Sequence, residues 1–352
     1  MLSKGASAPP SAGADVGERG PGGRTEKGLV TRAEGAQFWV ELGGDEVLCV
    51  LRGRMKKRRL RASNLVVVGD EVLVERLPEG IGAIEAGLPR RTELARPGFR
   101  GLPHVIAANL DQLVVVQSTH QPEFKRRLTE RFLATARRCG MEALVVVNKC
   151  DLEAPQVVES WVVPLTQSGV EVILASAIDG RGIAELKGRL AGRISCLAGQ
   201  SGVGKSTLLT AMFPEYSIRT GSVNDWTGKG RHTTTSSRLY PLPGGGYLAD
   251  TPGIRELGLF EDTADDVAGV FPEIEAAAAG CKFRNCTHTH EPKCAVKVAV
   301  EQGEIDEDRY RNYVRLRRRM LWDRLLRRAH TAHSRQSVSP RRSGRWPCRH
   351  PV

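Results

Sequence analysis

Gly199-Gln200-Ser201-Gly202-Val203-Gly204-Lys205-Ser206 stands between a short apolar run, Ile194 to Leu197, and a helix-periodic stretch through Leu208 and Leu209. The spacing is G-x-x-x-x-G-K-S in the context that motif needs, a strand before it and a helix after it. Glycines let the backbone curl so that successive N–H groups point at phosphate oxygens. Lys205 then reaches the β and γ oxygens, and the Ser206 hydroxyl can ligate Mg2+. Upstream, Asn148-Lys149-Cys150-Asp151 follows the apolar run Ala143 to Val147. Asn148 can bond the acceptor edge of a purine, and Lys149 can pack along the base plane. Asp151 can accept from the ring N–H and exocyclic amine that guanine has and adenine lacks. The next apolar run, Val170 to Leu174, leads into Ala175-Ser176-Ala177, which reads as a second base-contacting loop. Together these residues predict a GTP site comprising Asn148 to Asp151, Ser176, Ala177 and Gly199 to Thr207.

Here the base-reading motif precedes the phosphate loop, the reverse of the usual order. The expectation is a circularly permuted P-loop GTPase domain, which the fold tolerates because domain termini tend to lie close together on the surface. Apolar runs at Leu113 to Val116, Ala143 to Val147, Val170 to Leu174 and Ile194 to Leu197 alternate with helical stretches, as βαβ units do. The motifs then fall at carboxyl ends of strands, where open α/β sheets bind ligands.

Asp250-Thr251-Pro252-Gly253 follows the apolar run Tyr247 to Ala249. Asp250 is expected in the Mg2+ shell, and the Gly253 N–H is placed to sense the γ-phosphate. Between this motif and the phosphate loop lies Gly228 to Thr235, a polar segment from which a threonine should complete the metal shell, Thr234 ahead of Thr233. The residue after Gly253 is Ile254, where many GTPases carry a water-orienting glutamine. Isoleucine cannot polarise water, so either His232 or a partner must supply that function.

The chain has 352 residues and a formal net charge of +12. From Arg309 to the end there are fourteen arginines against one acid, Asp323, so the remainder is about neutral. A second basic run holds Arg52, Arg54, Lys56, Lys57, Arg58, Arg59 and Arg61 without an acid. Both suit a polyanion, and the second is the expected RNA contact; solvated, solubilising segments are the alternative. No apolar run approaches membrane-span length, and the first 24 residues lack a signal-peptide core. A cytoplasmic protein, not attached to a membrane and monomeric, is expected.

Residues 1–24, rich in Gly, Ala, Pro and Ser, read as a disordered tail. Residues 25–90 carry short β-rich runs at Gln37 to Leu42, Glu46 to Leu51 and Glu71 to Arg76, whose lengths fit an oligonucleotide-binding (OB) type barrel. Residues 91–262 are assigned to the GTPase domain, 263–330 to a helical metal-binding domain and 331–352 to a basic disordered tail. The fold class is thus multidomain α/β. Cys281, Cys286, His288 and Cys294 offer three thiolates and one imidazole within fourteen residues, the donor set of a closed, structural zinc site. His290 is a rival to His288, and redox-active cysteines are the rival chemistry. Apolar Tyr313, Leu316 and Met320, with Leu321 and Leu325, predict a helix with one buried stripe and an arginine-rich face.

The permuted order, Gly199 to Thr207, Gly230 to Thr234, Asp250 to Glu256 and the Cys/His cluster together resemble the ribosome small-subunit-dependent GTPase A family, from about residue 28 to 325. The resemblance implies a barrel and a zinc-bearing helical domain flanking the GTPase. It implies action in late maturation of the small ribosomal subunit, with its rRNA as partner and GTP hydrolysis to GDP stimulated by the subunit. It also implies zinc on Cys281, Cys286, His288 and Cys294, and a catalytic role for His232. The Gly/Pro-rich start and the Arg-rich end beyond residue 330 are extra to the family core. Two other readings stand beside it: a non-hydrolysing guanine-nucleotide sensor that binds RNA, and a phosphotransferase acting on a small acceptor.

Overall fold

In the computed structural model, residues 25–53, 55, 65–78, 80–97, 103–214, 237–250 and 270–317 are described. Alternation builds the first element group. In Gln37–Leu42, Phe38, Val40 and Leu42 point inward while Trp39 and Glu41 point out. The strands β1 (Thr25–Glu34), β2 (Gln37–Leu42), β3 (Asp45–Leu51), β4 (Glu71–Arg76) and β5 (Gly82–Gly87) pair in the order β1-β2-β3-β5-β4 and close through β4 onto β1. Closure leaves no free edge within the group. Only β3 and β5 run parallel. Val30, Phe38, Val40, Leu42, Val72, Val74 and Ile84 fill the interior. The result is a closed five-stranded barrel.

A hairpin of β6 (Glu93–Pro97) and β7 (Pro103–Ala108) follows. The α/β part then comprises β8 (Gln112–Ser118), α1 (Arg126–Arg138), β9 (Glu142–Asn148), α2 (Pro155–Gln167), β10 (Glu171–Leu174), α3 (Ile183–Leu190), β11 (Ile194–Ala198), α4 (Lys205–Met212), β12 (Ser237–Pro241) and β13 (Tyr247–Asp250). Its strand order is β10-β9-β8-β11-β13-β12, parallel except for β12. β8 is buried along its whole length, as a central parallel strand covered on both faces must be. Val114, Val116, Leu144, Val146, Ile173, Leu186, Leu190, Leu208 and Leu209 form the core on one face.

The barrel and this sheet are joined. β12 pairs antiparallel with β1 through Arg32 opposite Arg238 and Ala33 opposite Ser237, so eleven strands form one sheet. The Tyr247 hydroxyl donates to Glu41 of the barrel. Among the described residues, those up to Phe132 and from Cys139 to Asp250 form one compact unit, and Leu133–Arg138 with those from Val270 onward form the other.

In the second unit, α5 (Pro272–Ala278), α6 (Ala295–Glu301) and α7 (residues 307–317) surround the Cys/His loop. The buried guanidinium of Arg309 donates to Glu273 (2.5 Å) and to the Val270 carbonyl (2.9 Å), and lies 4.9 Å from the centroid of Phe271. Removing one partner of a buried pair strands the other, at a cost of roughly 3 kcal/mol. Arg309→Met should therefore lower the denaturant midpoint of the full chain; an unchanged midpoint would remove Arg309 from the framework of this unit.

Candidate functional site

From β8 the chain steps outward to β9 and β10, then returns to β11 on the other side of β8 and continues to β13 and β12. The loops leaving β8 and β11 therefore diverge, opening the crevice where doubly wound sheets bind ligands. The phosphate loop leaves β11 there. Gly199 has φ 151° and Gly204 φ 92°, conformations that favour glycine. A Cβ at Gly199 would lie 2.2 Å from the Val116 carbonyl oxygen, and one at Gly204 2.3 Å from Asn148 Nδ2. Both glycines thus permit close approach as well as curvature. Val203 is buried in the core and anchors the loop, whereas Ser201 and Gly202 are exposed. Lys205 opens α4, and its ammonium donates to the carbonyls of Gly199 (2.7 Å) and Gln200 (2.8 Å), which holds it over the loop. Ser206 and Thr207 occupy the first turn of α4.

The base-reading motif meets this loop directly. Asn148 is buried; its Nδ2 donates to the Val203 carbonyl (2.9 Å) and its Oδ1 accepts from the Ala177 N–H (3.3 Å), which braces three loops together. One amide N–H remains for a purine acceptor. Lys149 adopts a left-handed backbone, φ 63°. Its ammonium donates to the carbonyls of His120 (2.9 Å), Gln121 (2.7 Å) and Gly202 (2.8 Å), leaving its aliphatic stem as the surface a base can pack on. Cys150 turns inward: its thiol donates to the Val147 carbonyl and burial pushes its pKa up, so it can serve a ligand only through its backbone. Asp151 is exposed in a short 3-10 turn, Cys150–Leu152. Ser176 is buried, and its hydroxyl accepts from the N–H groups of Ile178 and Asp179, shaping the second loop.

Asp250 ends β13, beside β11, at the same end of the sheet. His232, Thr234 and Gly253 lie outside the described residues. Sequence reasoning missed the loop after β8. Its contribution is the carbonyls of His120 and Gln121, which any residue would supply and which leave no side-chain signature.

In the second unit the Sγ atoms of Cys281, Cys286 and Cys294 and a ring nitrogen of His288 lie within 4.8 Å of one another. Cys281 and Cys294 sulfurs are 3.8 Å apart, and His288 Nδ1 is 3.5 and 3.4 Å from them. A tetrahedral ion with a metal–sulfur distance of about 2.3 Å puts sulfurs about 3.8 Å apart and sulfur and nitrogen about 3.6 Å apart. The residues therefore fit a four-coordinate ion of zinc type. His288 reaches inward from a left-handed backbone (φ 59°), and the Tyr310 hydroxyl donates to its carbonyl (2.6 Å). His290 instead sits outside the cluster, its ring within 2.9 Å of the Thr289 hydroxyl. Burial raises the Cys286 thiol to about 11, a penalty that a coordinated cation reverses.

The family model for the RsgA GTPase matches residues 87–260. The small ribosomal subunit biogenesis GTPase RsgA of Gemmatimonas aurantiaca is 41% identical over 278 residues, covering 78% of this chain and 90% of that protein. That of Chlorobaculum parvum is 40% identical over 304 residues, covering 83% and 97%. The chain belongs to the RsgA GTPase family. Two solved structures agree with this membership. YjeQ from Thermotoga maritima superposes with a TM-score of 0.68 at 34% identity, over 84% of this chain and 99% of that one. YloQ, a circularly permuted GTPase, gives 0.66 at 28%, over 86% and 96%. As an RsgA GTPase the chain is a GTP hydrolase, and its reversed motif order is the permutation read from the sequence.

The basic run of this RsgA GTPase divides at its first member. Arg52 donates to both Glu75 and Glu85, which raise its pKa, chiefly through the Glu85 hydrogen bond. Arg52 thus braces the barrel, its charge offset by two carboxylates. Arg54 and Lys56 to Arg61 lie outside the described residues. Among the described residues no helix is long and apolar enough to cross a membrane.

Proposed function

We propose that this chain binds the small ribosomal subunit and its rRNA late in maturation, hydrolyses GTP to GDP and phosphate under stimulation by the subunit, and leaves on hydrolysis. It acts as a monomer in the cytoplasm. The observation that carries the reading is the bracing of the guanine motif onto the phosphate loop through Asn148 and Lys149, which builds one nucleotide site from two halves of a permuted chain. The names of the relatives, small ribosomal subunit biogenesis GTPases, support the partner.

Asp151 selects guanine, Ser176 and Ala177 border the base, and Gly199 to Thr207 cradle the phosphates with Lys205. Ser206, Thr234 and Asp250 hold Mg2+, which neutralises phosphate charge when bound. Gly253 senses the γ-phosphate. His232 orients the attacking water, the task Ile254 cannot perform. Cys281, Cys286, His288 and Cys294 hold one structural zinc. Arg52, Arg54, Lys56, Lys57, Arg58, Arg59 and Arg61 contact RNA.

Phosphate release from GTP, measured with and without purified small subunits and against ATP, tests the reading. Stimulation confined to GTP is expected, with His232→Ala reducing subunit-stimulated kcat by about a hundredfold, the scale of general acid–base catalysis, while leaving nucleotide affinity unchanged. No turnover under any condition would make the chain a guanine-nucleotide sensor, the reading that Ile254 favours.

A further inference from the structure

Between the first two cluster cysteines the loop presents Lys282, Phe283, Arg284 and Asn285, all exposed. Single exposed apolar residues are ordinary on protein surfaces. This one differs in its setting. Phe283 is 40% exposed, is flanked by two cations, and has Lys282 Nζ 5.5 Å from its ring centroid. Cys281 and Cys286 pin the loop at both ends, and the Phe283 carbonyl accepts from the Cys286 N–H at 3.1 Å. Holding the backbone that carries an aromatic ring lowers the ordering cost of binding.

Charge decides what such a ring meets. From Cys281 to Cys294 the loop has Lys282, Arg284 and Lys293 against one acid, Glu291. The Glu291 carboxylate is occupied by the N–H groups of Thr287, Thr289 and His290. Among the described residues no ion pair engages Lys282, Arg284 or Lys293. Three thiolates around a divalent ion leave about one negative charge, held behind the tip, so the positive charge lies outermost, beside the ring. An aromatic face between cations matches a base and its neighbouring phosphates, since stacking holds the base and the cations hold the backbone. Duplex RNA buries its base faces, so the fit is to an unpaired nucleotide.

We propose that the tip Lys282 to Asn285 is an RNA-binding platform on which an unpaired base stacks against Phe283 while Lys282 and Arg284 contact the flanking phosphates. The proposal rests on the reading that RNA is a partner of this protein, and adds a second contact remote in sequence from the Arg52 to Arg61 run.

The test is binding of the full chain to fluorescent oligoadenylate, to its duplex with oligouridylate, and to purified small subunits. Stacking of one base is worth about 1 kcal/mol or more, so Phe283→Leu should weaken oligoadenylate binding at least about fivefold. Phe283→Tyr should stay within about twofold of wild type, with metal content and GTP affinity unchanged in both. Wild type should prefer the single strand. Replacing Lys282→Gln and Arg284→Gln together should reduce the slope of log affinity against log salt by about 1.4. Should Phe283→Leu lose its metal, this double variant decides, and an unchanged salt slope overturns the proposal. Equal affinity of wild type and a metal-loaded Phe283→Leu for oligoadenylate overturns it, as does no binding by wild type at low salt. Loss of subunit binding with oligoadenylate binding intact also overturns it and assigns the tip to a protein partner. Failure of the broader reading appears separately, as absence of subunit-stimulated phosphate release by the wild type.

Discussion

Asp151→Asn lowers GTP affinity by about a thousandfold and raises affinity for xanthosine triphosphate, with no change in fold stability. In the proposed site the carboxylate accepts from the guanine ring N–H and from its exocyclic amine, two charge-assisted hydrogen bonds worth about 2 kcal/mol each. An asparagine keeps one acceptor but turns an N–H toward the exocyclic amine, pairing donor with donor. Xanthine carries a carbonyl at that position and restores the match. A site built to hydrogen-bond a particular group rejects an analogue lacking it far more strongly than an apolar pocket rejects a missing methylene. Asp151 is exposed, so its replacement leaves the core untouched. Equilibrium binding of the two fluorescent nucleotides measures the exchange. Unchanged GTP affinity in Asp151→Asn would mean that the base is read elsewhere, and would detach the guanine assignment from this motif.

The parts of the fold legible in the sequence were those set by local pattern. Apolar runs at Leu113 to Val116, Ala143 to Val147 and Ile194 to Leu197 sit inside β8, β9 and β11, because buried parallel strands read as continuous apolar runs. The β-rich run Gln37 to Leu42 is β2, with Phe38, Val40 and Leu42 on its buried face. What was not legible depends on partners distant in sequence. β5 sits between β3 and β4 in the barrel with Gly82, Ala83, Ala86 and Gly87, residues of poor strand propensity held by pairing with those strands. The hairpin of β6 and β7 ends in Pro97 and Pro103, which hide it. The ion pairs of Arg52 with Glu75 and Glu85 were hidden as well, since both carboxylates lie more than twenty residues away.

The same contrast runs through the site. Asn148, Lys149, Asp151 and Lys205 stand out in the sequence because the chemistry expected of them needs particular side chains. Their mutual bracing was not, since it ends on the carbonyls of Val203, Gly202, His120 and Gln121. Spacing left His288 and His290 as alternatives, and the backbone turn at His288 brings that ring to the sulfurs.

Removing the proposed zinc from the second unit should unfold it while leaving nucleotide binding intact. Among the described residues from Val270 to Leu316 the buried apolar side chains besides the cysteines are few: Val270, Phe271, Ile274, Val296, Ala299, Ile305, Tyr313 and Leu316. The Cys/His cluster lies among them, with the His288 ring 5.9 Å from Tyr313 and Tyr313 edge-on to Phe271 at 5.7 Å. A structural zinc is worth about 10–16 kcal/mol in zinc-finger peptides at neutral pH, comparable with the entire stability of a domain. Chelation, or Cys286→Ser, therefore removes more than the remaining contacts can offset. Loss of helical signal from α5, α6 and α7 and rapid proteolysis between Gly280 and Ala295 are expected, at a metal stoichiometry falling from one to zero. Because thiols and imidazole must shed protons to bind the ion, the same loss should follow acidification. GTP affinity should persist, since Asn148, Lys149, Asp151 and the phosphate loop belong to the other compact unit. A metal-free chain that kept its helical signal and protease resistance would show that packing alone holds this unit, and would leave the cluster without a structural role.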